Sequence, residues 1–151
     1  MPKPPKINTL VTMYVNTRAP GLSQENIEDH VWMGDSNGDV DNNNAGRVKD
    51  YLTPTLSDGN VTWIPAVYNI STAPADYVLI TNVEMTGDNE DKIKISKEPS
   101  DQYATHVNGK IKKINNSDSG LTLSYTIYFT VYRDGEQDLD LHIDPRIQIN
   151  N

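Results

Sequence analysis

The sequence contains no cysteine. This absence excludes disulfides, a thiolate nucleophile and cysteine-based zinc sites, and it is typical of proteins in a reducing compartment. Long apolar runs are missing as well, because no stretch approaches the roughly 20 apolar residues that a membrane-spanning helix requires. The opening Met-Pro-Lys-Pro-Pro-Lys is charged but no apolar segment follows it, so it is not a secretory signal. We therefore expect a cytoplasmic protein without membrane insertion.

Basic residues are fewer than acidic residues in this sequence. Lys and Arg number 13 against 21 Asp and Glu, which gives a formal net charge of -8. An acidic surface repels phosphate backbones and anionic lipid headgroups, so nucleic acid is not an expected partner. The simplest role of this acidity is to keep the protein in solution.

The usual catalytic patterns are also absent. The sequence has no Gly-x-Ser-x-Gly elbow and no phosphate-binding glycine loop. Its three histidines, at positions 30, 106 and 142, stand in unrelated contexts and lack the spacing of metal ligands. Asp138, Asp140 and Asp144 alternate along one segment, which is typical of a solvated strand face rather than of a glycosidase pair. The prediction is no enzyme, no catalytic residue and no required cofactor.

Period-two alternation is the strongest pattern that the sequence does contain. Between Leu121 and Tyr132 every second residue is apolar, and an Asp134-Gly135 hairpin turn leads to a second alternating segment from Leu139 to Ile149. Residues 7–15 alternate in the same way, and no segment carries a sustained helical stripe. The pattern predicts seven to nine short strands in a single all-β domain over residues 7–151, after an extended lead-in at 1–6. The expected fold is an antiparallel β-sandwich of jelly-roll or immunoglobulin-like type, with a barrel not excluded by the pattern.

Individual prolines and glycines limit where some of the predicted strands can lie or continue. Pro54 argues against a central strand, and Pro65 predicts an edge position or a bulge within the strand at 60–70. Asn108-Gly109 predicts a hairpin turn that divides residues 106–114 into two short arms.

An Asp/Asn-rich loop offers oxygen ligands at every second position, from Asp35 through Asn37 and Asp39 to Asp41. Calcium prefers such hard oxygen ligands. The loop is not an EF-hand, since the positions that need Gly and Glu hold Val40 and Gly46. A calcium site of another type and a solvated turn therefore stand as alternatives, and the turn is preferred.

Aromatic side chains on outward strand faces are candidates for a contact surface. The six residues weighed for sugar stacking are Tyr14, Trp32, Trp63, Tyr68, Tyr128 and Tyr132. Four of them, Tyr14, Trp32, Tyr128 and Tyr132, are the predicted ligand-binding or interface residues. Such rings either stack on a carbohydrate or pack across strands and protein interfaces.

Two ends of the chain resemble a known family. The segment Ile7-Asn-Thr-Leu-Val-Thr-Met-Tyr-Val-Asn-Thr17 is similar to the first strand of the bacterial PixA/AidA inclusion-body proteins. The segment from Tyr125 to Tyr132, followed by Ile143-Asp-Pro-Arg-Ile147, resembles their closing hairpin. With four methionines, however, the chain is not methionine-rich. The resemblance implies a small cytoplasmic bacterial protein, some relatives of which accumulate as inclusions, and it brings no catalytic residue.

Two hypotheses of function follow. The first is a non-enzymatic inclusion-body-type protein that acts by self-association, as a homo-oligomer, or by binding a partner. The alternative is a carbohydrate-binding, lectin-like module with or without calcium.

Overall fold

Strands make up nearly all of the regular structure, as the alternation predicts. The computed structural model describes residues 8–36, 46–48, 52–87, 90–98 and 106–151, so the predicted lead-in at 1–6 lies outside the described residues. The described residues form eleven strands: β1 (Asn8–Val15), β2 (Val31–Asp35), β3 (Gly46–Arg47), β4 (Leu52–Leu56), β5 (Asn60–Val67), β6 (Tyr77–Thr86), β7 (Ile93–Glu98), β8 (His106–Ile111), β9 (Leu121–Arg133), β10 (Glu136–Ile143) and β11 (Arg146–Asn150). Short 3-10 turns occur at Ile27–His30, Glu90–Lys92 and Asn116–Asp118.

The strands form two sheets. Sheet A has the order β3-β2-β1-β5-β8-β7. Sheet B is built on the long strand β9, in which Tyr128 is paired with Asn82 of β6 and with His142 of β10. Because one residue pairs with both, β6 and β10 lie on opposite sides of β9. Beyond Pro145 the chain continues along β9 as β11, and β4 extends the sheet from there.

Each sheet contains one parallel pair, β1 with β5 in sheet A and β11 with β4 in sheet B. The prediction of an all-β sandwich is confirmed, but the sheets are mixed rather than purely antiparallel. Alternation fixes which side chains face inward, whereas the direction of a strand relative to a distant neighbour leaves no trace in its own pattern.

The inner faces of the two sheets share one hydrophobic core. At its centre Trp63 Nε1 of sheet A donates a hydrogen bond to Tyr125 Oη of sheet B, with a distance of 3.0 Å between the two atoms. Both side chains are buried, and burial raises the pKa of Tyr125 well above its usual range. The prediction of Trp63 as a candidate surface residue is wrong, because the ring lies inside the core, where its N–H has a partner.

Gly109 explains a second wrong prediction. The turn expected at Asn108-Gly109 is absent, and β8 runs unbroken through both residues. A Cβ at position 109 would lie 2.9 Å from Ile93 Cγ2 and 3.1 Å from the Trp63 ring. The glycine is therefore required by the close approach of Ile93 and of the Trp63 indole, not by a turn.

Strand β6 contains a bulge, which allows two pairs of apolar residues that are out of phase with each other to face the core. Val78, Ile80, Val83 and Met85 are all buried, although strict alternation would turn the second pair away from the first. The register with β9 shifts between Ile80 and Asn82. One additional residue at this point returns Val83 and Met85 to the core.

The two strand prolines lie where their missing N–H costs least. Pro54 lies in β4, which is the outermost strand of sheet B in its part of the described chain. Pro65 lies beyond Trp63, the last residue of β5 that pairs with β8. At the hairpin between β9 and β10, Asp134 and Gly135 have φ of 53° and 83°, as a type I′ turn requires.

Candidate functional site

A groove on the outer face of sheet A brings together aromatic side chains from β1, β2 and the turn that follows β5. It has a volume of about 450 Å³ and is lined by Tyr14, Trp32, Val67, Tyr68 and Ile70. Tyr14 of β1 is paired with Trp32 of β2 on one side and with Ala66 of β5 on the other. Because β1 and β5 are parallel, the ends of both strands reach the same edge of the sheet, and the turn after β5 completes the groove. We call these five residues the aromatic groove.

Tyr14 and Trp32 are half-buried, and the residues that follow β5 are the exposed part of the aromatic groove. Trp32 stacks on Tyr68 with 4.6 Å between ring centroids and 27° between ring planes. Tyr68 is 61% exposed and Ile70 is 50% exposed. None of the five lining residues is charged, although the chain as a whole carries a net charge of -8. A neutral, apolar surface on an acidic protein is the composition expected of a contact site.

The turn that carries Tyr68 and Ile70 is fixed to the end of β1. The Tyr68 backbone N–H donates to the Val15 carbonyl at 2.9 Å. The Thr17 backbone N–H donates to Asn69 Oδ1 at 3.1 Å. These bonds hold the two apolar side chains against the strand ends.

A buried carboxylate closes the same end of the sandwich. The Asp76 side chain is 0% exposed, and it accepts hydrogen bonds from Arg18 Nε and Nη2, both at 2.8 Å, and from the Thr17 hydroxyl at 2.6 Å. The Asp134 backbone N–H adds a fourth bond at 3.0 Å. The Arg18 guanidinium, followed by the Thr17 and Asp134 donors, holds the pKa of Asp76 well below its usual range, although burial acts in the opposite direction. Asp76 thus joins three segments: the turn after β1, the turn before β6 and the β9–β10 hairpin.

The other two predicted contact residues, Tyr128 and Tyr132, lie on the outer face of sheet B. Tyr132 stacks on Tyr77 with 4.4 Å between centroids and 9° between planes. Tyr128 Oη donates to Glu84 Oε2 at 3.4 Å, and its ring centroid lies 5.7 Å from that of His142. Desolvation, and then the negative charge of Glu84, raise the pKa of Tyr128.

Polar groups surround Tyr128. The Thr126 hydroxyl donates to Asp144 and the Thr130 hydroxyl to Asp140, each at 2.6 Å. Both threonines are buried, and both aspartates are exposed. The tyrosines of this face therefore lie among carboxylates, unlike the rings of the aromatic groove.

The four predicted contact residues do not form one surface. Tyr14 and Trp32 meet in the aromatic groove, whereas Tyr128 and Tyr132 lie on the opposite side of the sandwich. Tyr68, which was weighed with them, joins the first pair. Ile70 was missed because the strand predicted over 60–70 ends at Val67. Ile70 therefore lies in a turn, where alternation no longer indicates which way a side chain points. A binding or interface role for any of these residues remains a prediction.

The predicted calcium ligands are only partly within the described chain. Asp35 is the last residue of β2, and Asn37, Asp39 and Asp41 lie outside the described residues. Within residues 8–36, 46–48, 52–87, 90–98 and 106–151, no three acidic or histidine side chains come together as a metal site would require. Calcium binding at 35–41 stays a prediction. No helix among these residues is long and apolar enough to cross a membrane.

Two mixed sheets packed around one core, with an aromatic groove on an outer face, define a small β-sandwich protein. Comparison with solved structures finds this sandwich in the inclusion body protein PixA from Burkholderia cenocepacia. The TM-score is 0.67, and the match covers 97% of this chain and 98% of the other at 10% identity. No family model and no curated protein matched the sequence. The resemblance to PixA noted in the sequence is therefore confirmed at the level of the fold.

Proposed function

We propose that this chain is a non-enzymatic cytoplasmic protein of the inclusion-body type that acts by associating with copies of itself. The observation that carries the proposal is the aromatic groove, with Tyr68 and Ile70 exposed and no charge in its lining. Support comes from the match along nearly the whole chain to a protein described as an inclusion body protein.

Charge favours the groove as the place of contact between copies. Two chains that each carry a net charge of -8 repel one another over most of their surface. Contact through a neutral surface brings no carboxylate against another and removes apolar area from water. A two-fold arrangement, with the groove of one copy against the groove of the other, is the commonest form of such contacts.

Protected sheet edges favour contact through a face rather than by strand addition. Pro54 interrupts the donors of β4, and the bulge divides the edge of β6. The edge of β10 is covered by the Gln24 side chain, which accepts from the His142 N–H at 2.8 Å and donates to the His142 carbonyl at 2.9 Å. In β7, Lys94 places a charge on the edge strand of sheet A. These are recognised ways in which proteins prevent edge-to-edge pairing.

Sedimentation velocity over a wide concentration range tests the proposal. At high salt we expect the wild type to pass from monomer to dimer, and Tyr68→Ser to raise the concentration needed at least tenfold. The matched control is Tyr77→Ser, which removes a 40% exposed, stacked tyrosine from sheet B and is expected to leave dimerisation unchanged. A wild type that stays monomeric at every concentration would refute the proposal, and so would equal effects of the two variants.

The carbohydrate-binding alternative has less support from the geometry. Trp32 and Tyr68 stack on each other, so each covers a ring face that a sugar would need. A glycan array probed with wild type and Tyr68→Ser tests this alternative. Binding that is lost in the variant would favour the lectin hypothesis, and absence of binding would exclude the tested glycans as ligands.

A further inference from the structure

Four lysines line up on the β7–β8 hairpin. Lys94 lies directly opposite Lys110 in the register of the two strands. The Lys112 N–H donates to the Lys92 carbonyl at 2.8 Å, which places these two residues opposite each other at the next position of the same face. The intervening residues Ile93 and Ile111 are buried, so all four lysines belong to the outer face of sheet A. We call them the lysine ladder.

The positive charge of the lysine ladder is poorly compensated within the chain. Like charges placed directly across a strand pair destabilise it. Lys110 Nζ donates to the Asp58 backbone carbonyl at 3.0 Å and lies 3.7 Å from an Asp58 carboxylate oxygen. Lys112 Nζ lies 3.9 Å from a carboxylate oxygen of Asp91, and both carboxylates are mostly exposed. Such long, exposed pairs contribute little. Within the described chain, no ion pair involves Lys92 or Lys94. The lysine ladder is therefore a basic surface with unused charge on an acidic protein.

The opposite face of the sandwich carries the complementary charge. Glu84, Asp140 and Asp144 surround Tyr128 on the outer face of sheet B, and we call these three residues the carboxylate face. Hydrogen bonds from Thr126 and Thr130 orient two of them but leave their charge in place. Among the described residues, none of the three takes part in an ion pair.

We propose that the lysine ladder of one copy docks on the carboxylate face of a second copy. This inference rests on the proposed self-association and adds a second contact to it. Because the two surfaces lie on opposite sheets, they do not meet within one chain, and the contact is head-to-tail. A two-fold contact through the aromatic groove closes at a dimer, whereas a head-to-tail contact repeats without end unless it closes into a ring. The combination gives the open-ended growth that an inclusion requires.

Charge reversal on each side, followed by mixing, tests the docking. The ladder variant is Lys92→Glu/Lys94→Glu/Lys112→Glu, and the face variant is Glu84→Lys/Asp140→Lys. In low salt we expect wild-type protein to form species larger than a dimer by sedimentation velocity or light scattering. These species should return to dimer in about 0.5 M NaCl, where charges are screened beyond roughly 4 Å. Each variant alone should lack the larger species, and an equimolar mixture should regain them, because every contact in the mixture again joins opposite charges.

A matched control is Asn115→Lys/Ser117→Lys/Asp118→Lys, which makes the same charge change as the face variant at exposed positions in the turn before β9 and should keep the larger species. The docking is refuted if the larger species survive either reversal, if only the ladder variant loses them, or if mixing does not restore them. Loss in the ladder variant alone would mean that the ladder binds a different polyanion. Failure of the groove proposal has a different signature, since the protein would then be monomeric in high salt yet still associate in low salt.

Discussion

The outer faces of the two sheets follow the same alternating pattern but differ in what surrounds their aromatic rings. On sheet B, Tyr128 is hydrogen-bonded to Glu84, and buried threonines hold further carboxylates around it. At one end of sheet A, Tyr68 and Ile70 are exposed next to Trp32 with no charged side chain in the lining. An outward aromatic residue is therefore not a contact site by itself. Its spatial neighbours decide whether the ring belongs to a polar face or to an apolar one.

The largest expected effect comes from the carboxylate that supports the sheet A groove. Asp76→Ala leaves Arg18, Thr17 and the Asp134 N–H without their shared acceptor. We expect a loss of about 2–3 kcal/mol in the free energy of unfolding, measured by urea denaturation, together with weaker dimerisation. Asp118→Ala, at an exposed position, is the control. A change below about 0.5 kcal/mol in Asp76→Ala, the range of ordinary surface substitutions, would show that the cluster does not hold this end of the fold.

The same carboxylate predicts an acid dependence. The pKa of Asp76 is lower in the folded chain than its reference value of 3.8, so its contribution to stability is fully present above that pH and is lost as the pH falls below it. Asp76→Asn removes this contribution. Urea unfolding from about pH 6 to about pH 2 should therefore show the stability difference between wild type and variant shrinking as acid is added. A difference that stays constant across this range would contradict the assignment.

On sheet B, a smaller loss is expected from Thr130→Val. The variant removes the bond to Asp140 and leaves a buried methyl in its place, at a cost of about 1 kcal/mol. Thr122→Val, an exposed position on the same face of β9, is the control and should change stability by less than about 0.5 kcal/mol. If thermal or urea unfolding showed equal losses of stability in Thr130→Val and Thr122→Val, the hydrogen bond from Thr130 to Asp140 would not contribute to the stability of this face.

The smallest effect is expected at Leu10, which is 41% exposed on the outer face of sheet A but does not line the aromatic groove. Leu10→Ser should alter stability by less than about 0.5 kcal/mol and leave dimerisation in high salt unchanged. If sedimentation showed weaker dimerisation in this variant, the contact would extend along the face beyond the aromatic groove.

The elements that the sequence predicts well are those set by neighbours along the chain. The alternation from Leu121 to Tyr132 became β9, and Asp134-Gly135 became its turn. The pairing of β1 with β5 and the role of Gly109 depend on partners distant in sequence, and no local pattern contains them. The bulge in β6 is an intermediate case, because the three-residue step from Ile80 to Val83 is visible in the sequence once both are known to be buried.

The residues of the candidate site likewise fall into those that a local pattern predicts and those that only the folded chain brings together. Tyr14 and Trp32 were found because each lies on an outward strand position. Ile70 and the buried Asp76 lie in the turns between β5 and β6. Only the folded chain shows that Ile70 completes the aromatic groove and that Asp76 holds the adjoining end of the sandwich through Thr17. The separation of Tyr128 from Tyr14 likewise follows from the assignment of their strands to different sheets.

The most direct test of the aromatic groove as the self-contact is quenching of Trp32 fluorescence. The chain has two tryptophans, and Trp63 is only 1% exposed, so acrylamide quenching reports chiefly on Trp32. In high salt, the Stern–Volmer constant should fall as the protein concentration rises through the monomer–dimer transition, and in Tyr68→Ser it should fall only at higher concentration. A constant that does not change while sedimentation shows dimers forming would place the contact elsewhere and contradict the proposal.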